Sequence, residues 1–185
     1  ARAGHIRFNP AGDIESVKPN AVNGQTKRRD FTRAELSRVW SQPMFAGCEK
    51  DTPHGVYRPG SLLIRDDRFW IPILLFLTGA RASEVAGLEL DAVTLETGDA
   101  VAASRFVFRH TAFRRLKNNE SERVVPIHPW ALKMGFRSFV EDRASKRDKF
   151  LFPSVVALAD GELTDEKFDA MPICRSFNRT LLSKA

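Results

Sequence analysis

Two stretches of this chain combine residue types suited to holding a phosphate. The first, Leu77-Thr78-Gly79-Ala80-Arg81-Ala82-Ser83-Glu84-Val85-Ala86-Gly87-Leu88, sets an arginine two residues past a glycine that ends an apolar run. A guanidinium on such a platform offers two parallel hydrogen bonds to non-bridging oxygens and a charge that does not titrate away. Glu84, three residues on and about one helical turn away, is placed to orient it. The second stretch, Arg114-Arg115-Leu116-Lys117-Asn118-Asn119-Glu120-Ser121-Glu122-Arg123-Val124-Val125-Pro126-Ile127, reads as a strand, a basic polar turn and a strand. Lys117 at such a tip, flanked by Arg114, Arg115, Asn118 and Arg123, can enter a nucleic-acid groove and meet phosphates and acceptor base edges. Each stretch also has a plainer reading. Arg81 would be a surface residue beside a helix C-cap, paired with Glu84 for well under ~1 kcal/mol. The hairpin would be a solvated edge whose charges oppose aggregation.

The charge distribution favours an anionic partner. The chain has 185 residues and a formal net charge of +6. Residues 101–150 hold 12 Lys or Arg against 5 Asp or Glu, so the excess is a feature of one region. Hydrophobic residues make up 43% and charged residues 28%, which excludes wholesale disorder. A chain this long buries roughly 70% of its unfolded surface without help from metals or disulfides. Cys48 and Cys174 have neither metal-ligand spacing nor the pattern of a disulfide framework, which fits a reducing, cytoplasmic location and no metal site. The longest apolar run, Phe69 to Ala80, is interrupted by Pro72 and falls short of the roughly 20 residues that span a bilayer, so no membrane role is expected.

The elements that must position these residues can be read from periodicity and punctuation. Residues 1–30 contain Pro10, Pro19, Gly12, Gly24 and a Lys27-Arg28-Arg29 run with few large apolar side chains, and read as a linker or the tail of a preceding domain. The main domain is expected over 31–185. Thr32 and Glu35 form a capping-box pattern with Phe31 and Leu36 at the staple positions, predicting a helix from about Arg33 to Met44. Cys48 to Gly60 has no periodicity and reads as a loop or insertion. Asp66 to Thr78 predicts a helix buried nearly all round, with Pro72 tolerated near its first turn and Gly79 as its stop. Ala82 to Leu88 predicts a short helix.

Beyond Asp91 the pattern changes to strand: Val93 to Glu96, Arg105 to Arg109 and Arg123 to Ile127 predict a small antiparallel sheet. Pro129 suits the first position of a further helix carrying Leu132, Phe136, Phe139 and Val140 on one face. Phe150 to Pro153 forms an apolar stop, Val155 to Asp165 a loop, and Glu166 to Leu182 a last helix with Phe168, Ile173, Phe177 and Leu181. The expected class is α+β, mainly helical, with helices packed around a three-stranded antiparallel sheet.

Taken together, these residues resemble the catalytic domain of tyrosine recombinases, the phage-integrase family. Thr78-Gly79-Ala80-Arg81-Ala82-Ser83-Glu84-Val85 is similar to the family's first box, T-G-x-R-x-S-E-hydrophobic, whose arginine binds the scissile phosphate. Lys117 with Ser121, Arg123, Pro126 and Ile127 resembles the K-x-x-x-S-x-R-x-x-P-hydrophobic hairpin, whose lysine is a general acid. Phe150-Leu151-Phe152-Pro153 is similar to the Leu-Phe-Pro stop of many members, and Phe31-Thr32 with Glu35-Leu36 to the usual domain opening. The resemblance covers about residues 31–182. It implies site-specific DNA recombination or integration through a 3′-phosphotyrosyl intermediate, with Arg81 on the phosphate and Lys117 protonating the departing 5′ oxygen. Glu84 would support Arg81, and Arg114, Arg115, Asn118 and Arg123 would face double-stranded DNA. No cofactor is implied, because covalent catalysis conserves the bond energy and arginines stabilise the charge.

Two parts of the family pattern are absent. His5, His54, His110 and His128 each lack an arginine three residues on, so there is no H-x-x-R box. The only tyrosine, Tyr57, precedes the first box in a Pro/Gly loop and does not match the nucleophile. The chain therefore reads as a catalytic domain incomplete at its C-terminus, inactive alone and monomeric, whose full-length parent oligomerises on DNA. The competing reading is a non-catalytic DNA-binding or regulatory domain on the same scaffold, distinguished by whether a longer reading frame carries H-x-x-R and a later tyrosine. An RNA-binding module is disfavoured because the strands lack an aromatic stacking signature.

Overall fold

The computed structural model describes residues 30–52, 54–111 and 121–155. Lys117, Arg114, Arg115, Asn118 and the helix expected over Glu166 to Leu182 lie outside the described residues. By compactness the chain forms two units, Ala1–Thr32 and Arg33–Ala185. The elements that follow belong to the second.

Helix α1 spans Arg33–Trp40 and a separate short helix α2 spans Pro43–Ala46, where the sequence predicted one helix through Met44. Pro43 is the cause. A proline pushes the residue before it out of the helical region, and Gln42 is extended at φ −64°, ψ 149°. The freed carbonyl of Arg38 is taken up by side chains instead, accepting from Ser41 Oγ at 3.0 Å and Gln42 Nε2 at 3.2 Å.

The Cys48–Gly60 stretch folds back on itself. Cys48 is buried and makes antiparallel bridges to Pro59 and Leu62, with a single 3-10 turn at Gly55–Tyr57 between them. Tyr57 lies half-buried there against the small cluster of Met44 and Val56.

Helix α3 spans Asp67–Thr78, starting at an Asp66 cap whose carboxylate accepts from the Arg68 and Phe69 amides. Pro72 is its sixth residue, one turn deeper than expected, and forfeits only the bond its amide would have given the Arg68 carbonyl. Phe69, Trp70, Ile71, Ile73 and Leu74 are buried, but the burial expected nearly all round does not extend to the last turn, where Phe76 is 52% exposed and Leu75 and Leu77 are half-buried. Gly79 terminates the helix in the left-handed region at φ 64°. Helix α4, Ala82–Ala86, follows at once.

Strands β1 (Val93–Thr94), β2 (Arg105–Phe108) and β3 (Arg123–Pro126) form one antiparallel sheet in that order, each shorter than expected. In β2 the alternation sends Phe106 and Phe108 into the core, while β3 is an edge strand that exposes Val124 and places Pro126 where no ladder bond is lost. Beyond the sheet, the helix expected from Pro129 is two helices, α5 (Pro129–Lys133) and α6 (Phe136–Ser145). The break is at Gly135, which sits at φ 95° and cannot continue a right-handed helix.

An aromatic chain locks the layers together. Trp70 of α3 meets Phe136 of α6 edge-on at 5.0 Å, Phe136 meets Phe106 of β2 at 5.7 Å, and Phe139 stacks on Phe152 at 5.8 Å. The Phe150–Phe152 segment runs beside residues 88–90, with the Leu151 amide on the Leu88 carbonyl at 2.8 Å and the Leu90 amide on the Lys149 carbonyl at 3.0 Å. The fold is therefore a mixture of helices with a small three-stranded antiparallel sheet. No helix among the described residues is long and apolar enough to cross a membrane.

Candidate functional site

Arg81 owes its position to the turn between α3 and α4. The Thr78 hydroxyl donates to the Leu74 carbonyl at 2.6 Å and accepts from the Ala80 amide at 3.2 Å, so the two residues around Gly79 are held from both sides. Arg81 is then the N-cap residue of α4, extended at φ −71°, ψ 151°. Glu84, the third residue of that helix, reaches back to accept from the Arg81 amide at 2.9 Å, the return half of a capping box. A capping position thus doubles as the mount for a charged side chain.

Glu84 is the hub. Its side chain is only 3% exposed and it faces two arginines. Oε1 accepts from Arg81 Nη1 at 2.8 Å, and Oε2 accepts from Arg123 Nη2 at 2.7 Å as well as from the Arg81 amide. Burial by itself raises the Glu84 carboxyl, but the hydrogen bonds from Arg123 and from the Arg81 backbone and side chain outweigh it. The net pKa lies below the ordinary carboxylate value, and Glu84 is ionised at neutral pH.

The hairpin arrives at the same place. Ser121 Oγ accepts from Arg81 Nη1 at 3.3 Å, and the Ser121 carbonyl accepts from Arg123 Nη1 at 2.9 Å. Arg81, Glu84, Arg123 and Ser121 therefore close a ring of contacts across some 40 residues of sequence. The register of β2 with β3 sets Phe108 opposite Arg123, and the guanidinium lies over that ring at 4.7 Å. Just beyond the paired ends of β2 and β3 the His110 amide donates to Glu122 Oε1 at 2.8 Å.

The two arginines of the ring differ in what they leave free. Arg123 is turned inward, fastened through both terminal nitrogens and stacked on a ring. The Arg81 side chain is 54% exposed and tied through Nη1 alone, so its Nε and Nη2 edge carries no hydrogen bond to a described residue and points to solvent. That edge has the two-donor geometry that suits a phosphate or carboxylate oxygen pair.

The basic excess of residues 101–150 is partly spent within the fold. Arg105 pairs with Glu96 at 3.6 Å, Arg109 with Asp91 at 2.8 Å, Arg123 with Glu84, and Arg143 with Asp67 at 3.1 Å. These acids all come from residues 67–96, outside the basic stretch. Of the expected site residues, the structure brings together Arg81, Glu84 and Arg123, while Arg114, Arg115, Lys117 and Asn118 lie outside the described residues.

Sequence reading did not find the roles of Thr78 and Phe108. The Thr78 role rests on a side-chain to main-chain bond within one turn, and that of Phe108 on cross-strand register, which periodicity leaves open. A second buried carboxylate was missed altogether. Asp67 accepts from the Ser154 amide at 3.1 Å, from the Ser154 hydroxyl and from Arg143, tying the start of α3 to the chain beyond Phe152. Burial dominates there, and the Asp67 carboxyl lies above its ordinary value despite the Ser154 and Arg143 contacts. Among the described residues no group of His, Cys, Asp or Glu is arranged to hold a metal ion. No family model, curated protein or solved structure matches this chain.

Proposed function

We propose that this chain is part of the catalytic domain of a tyrosine recombinase and that Arg81 is its phosphate-binding arginine. The observation that carries the reading is the ring of Arg81, Glu84, Arg123 and Ser121, because it joins the two sequence stretches that resemble the family's first box and its lysine hairpin. On this reading the free Nε and Nη2 edge of Arg81 donates to the non-bridging oxygens of a DNA phosphate, where preorganised donors stabilise the charge that builds up during attack. A tyrosine hydroxyl forms the new bond to phosphorus, the bond to the 5′ oxygen breaks, and Lys117 delivers a proton to that oxygen. This chain holds no tyrosine placed for the attack, since Tyr57 is half-buried in the Cys48–Leu62 fold.

Binding to duplex DNA is the test. The chain is expected to bind non-specifically, with affinity falling steeply as salt rises, and Arg81→Gln is expected to lower the slope of log K against log[salt] by about one phosphate contact. Binding without salt dependence, or a slope unmoved by Arg81→Gln, contradicts the assignment. With a nicked suicide substrate the chain alone is expected to give no covalent adduct. The competing reading, a DNA-binding or regulatory domain without catalysis, shares the basic stretch but has no use for a clamp at Arg81.

A further inference from the structure

We infer that Arg123 is a positioning residue for the Arg81 phosphate site and not itself a DNA ligand, an inference that rests on the reading of Arg81 as a phosphate-binding arginine. A buried carboxylate facing a single arginine makes a neutral pair, and that pair competes with any incoming anion for the guanidinium. Here the carboxylate is shared. Glu84 gives Oε1 to Arg81 and Oε2 to Arg123, so the three side chains together carry a net positive charge, and Arg81 is the more exposed of the two arginines, at 54% against 34%. Arg123 thus keeps Glu84 from neutralising Arg81, while Glu84 still fixes the direction of the Arg81 side chain.

The geometry of Arg123 fits this task. Nη2 is on Glu84 at 2.7 Å, Nη1 is on the Ser121 carbonyl at 2.9 Å, and the plane lies over Phe108. A phosphate that drew the guanidinium away would break its bonds to Glu84 and Ser121 and its contact with Phe108, and at 34% the side chain is less exposed than that of Arg81 at 54%. Its place at the start of β3 also ties the site to the hairpin, because the same strand end brings the Ser121 hydroxyl to Arg81 Nη1 at 3.3 Å. Displacing the returning strand would release Glu84 from Arg123 and give it wholly to Arg81.

A double-mutant cycle separates the two roles. Binding of a mixed-sequence duplex is measured by fluorescence anisotropy between about 50 and 200 mM KCl for the wild-type chain, Arg81→Gln, Arg123→Gln and the double variant. A positioning role predicts that each single variant loses about one contact from the salt slope and that the double variant loses no more than either. An additional loss of about one contact in the double variant would show that Arg123 touches DNA by itself and would overturn the inference. A slope unchanged by Arg123→Gln in the presence of Arg81 overturns it as well. A slope unchanged by Arg81→Gln instead removes the phosphate reading on which it rests. Should Arg123→Gln fail to fold by circular dichroism, Arg123→Lys carries the same comparison: it preserves the charge and one donor but not the two-pronged grip, and a positioning role predicts a partial loss that disappears in the Arg81→Gln background.

Discussion

Glu84 and Arg123 lie 39 residues apart in the chain, yet Oε2 of one and Nη2 of the other are joined at 2.7 Å. This contact turns two separate sequence motifs into one site. It also places a carboxylate that is almost fully buried between two partly solvated guanidiniums, an arrangement with measurable consequences.

Replacing Glu84 by Gln removes the charge from the hub. Because both arginines retain some water, the expected loss is about 1.5–2 kcal/mol, the lower part of the range for hydrogen bonds to charged groups. Urea unfolding at neutral pH checks the size of the effect, and no loss would mean that the ring is not maintained in solution.

Two of the buried carboxylates, Glu84 and Asp67, make opposite contributions to the pH dependence of stability. The folded Glu84 carboxyl lies below its ordinary value of 4.5, so its contribution is complete above that pH and is lost as pH falls through the lower folded value. The folded Asp67 carboxyl lies above its ordinary value of 3.8, so its contribution is complete below that pH and is lost as pH rises through the higher folded value. Urea midpoints measured from acid to neutral pH are therefore expected to fall less steeply on acidification in Glu84→Gln than in wild type, and more steeply in Asp67→Asn. Identical slopes in all three proteins would contradict both assignments.

Arg147 follows α6 in the left-handed region at φ 58°, the one non-glycine among the described residues with positive φ. Its amide still bonds to the Ala144 carbonyl at 3.0 Å, as in a helix C-terminal turn that glycine usually closes. Arg147→Gly is expected to stabilise the protein by about 0.5–1 kcal/mol, a rise in Tm of ~1–4 °C for a protein of this size. Thermal unfolding followed by circular dichroism reads this directly, and a lower Tm would refute it.

Gly60 is confined for a different reason. A Cβ there would lie 2.3 Å from the Cys48 carbonyl oxygen, which is backbone and cannot swing aside. Gly60→Ala is expected to cost about 1–3 kcal/mol, in the manner of an overpacked interior. Hydrogen exchange should place the loosening at the Cys48 and Leu62 amides, whereas an unchanged exchange rate at Cys48 would mean that the strand pairing there is not tight.

The sequence by itself determined the elements and much of the site's chemistry. The apolar run required that α3 bury its first two turns, Gly79 required its end, the stretch Arg105 to Arg109 read as a strand, and Arg81 next to that stop required a cation on a rigid mount. These readings depend on sterics and burial within a few residues of chain. Two helices broke where one was expected, at Pro43 and Gly135, although both breakers were visible in the sequence. The apolar pattern continues across each break, and periodicity registers the shared buried face more strongly than the backbone constraint.

Only the tertiary structure decided which charges meet. Glu84 could be read as an orienter of Arg81 from helical spacing, but its second oxygen is claimed by a residue across the fold, and Arg123 faces inward because strand register sets it opposite Phe108. The basic excess of residues 101–150 is likewise offset by acids at 67, 84, 91 and 96, which no count along the chain could assign to it. Electrostatic energy depends on distance through space and on burial, and both are set by packing.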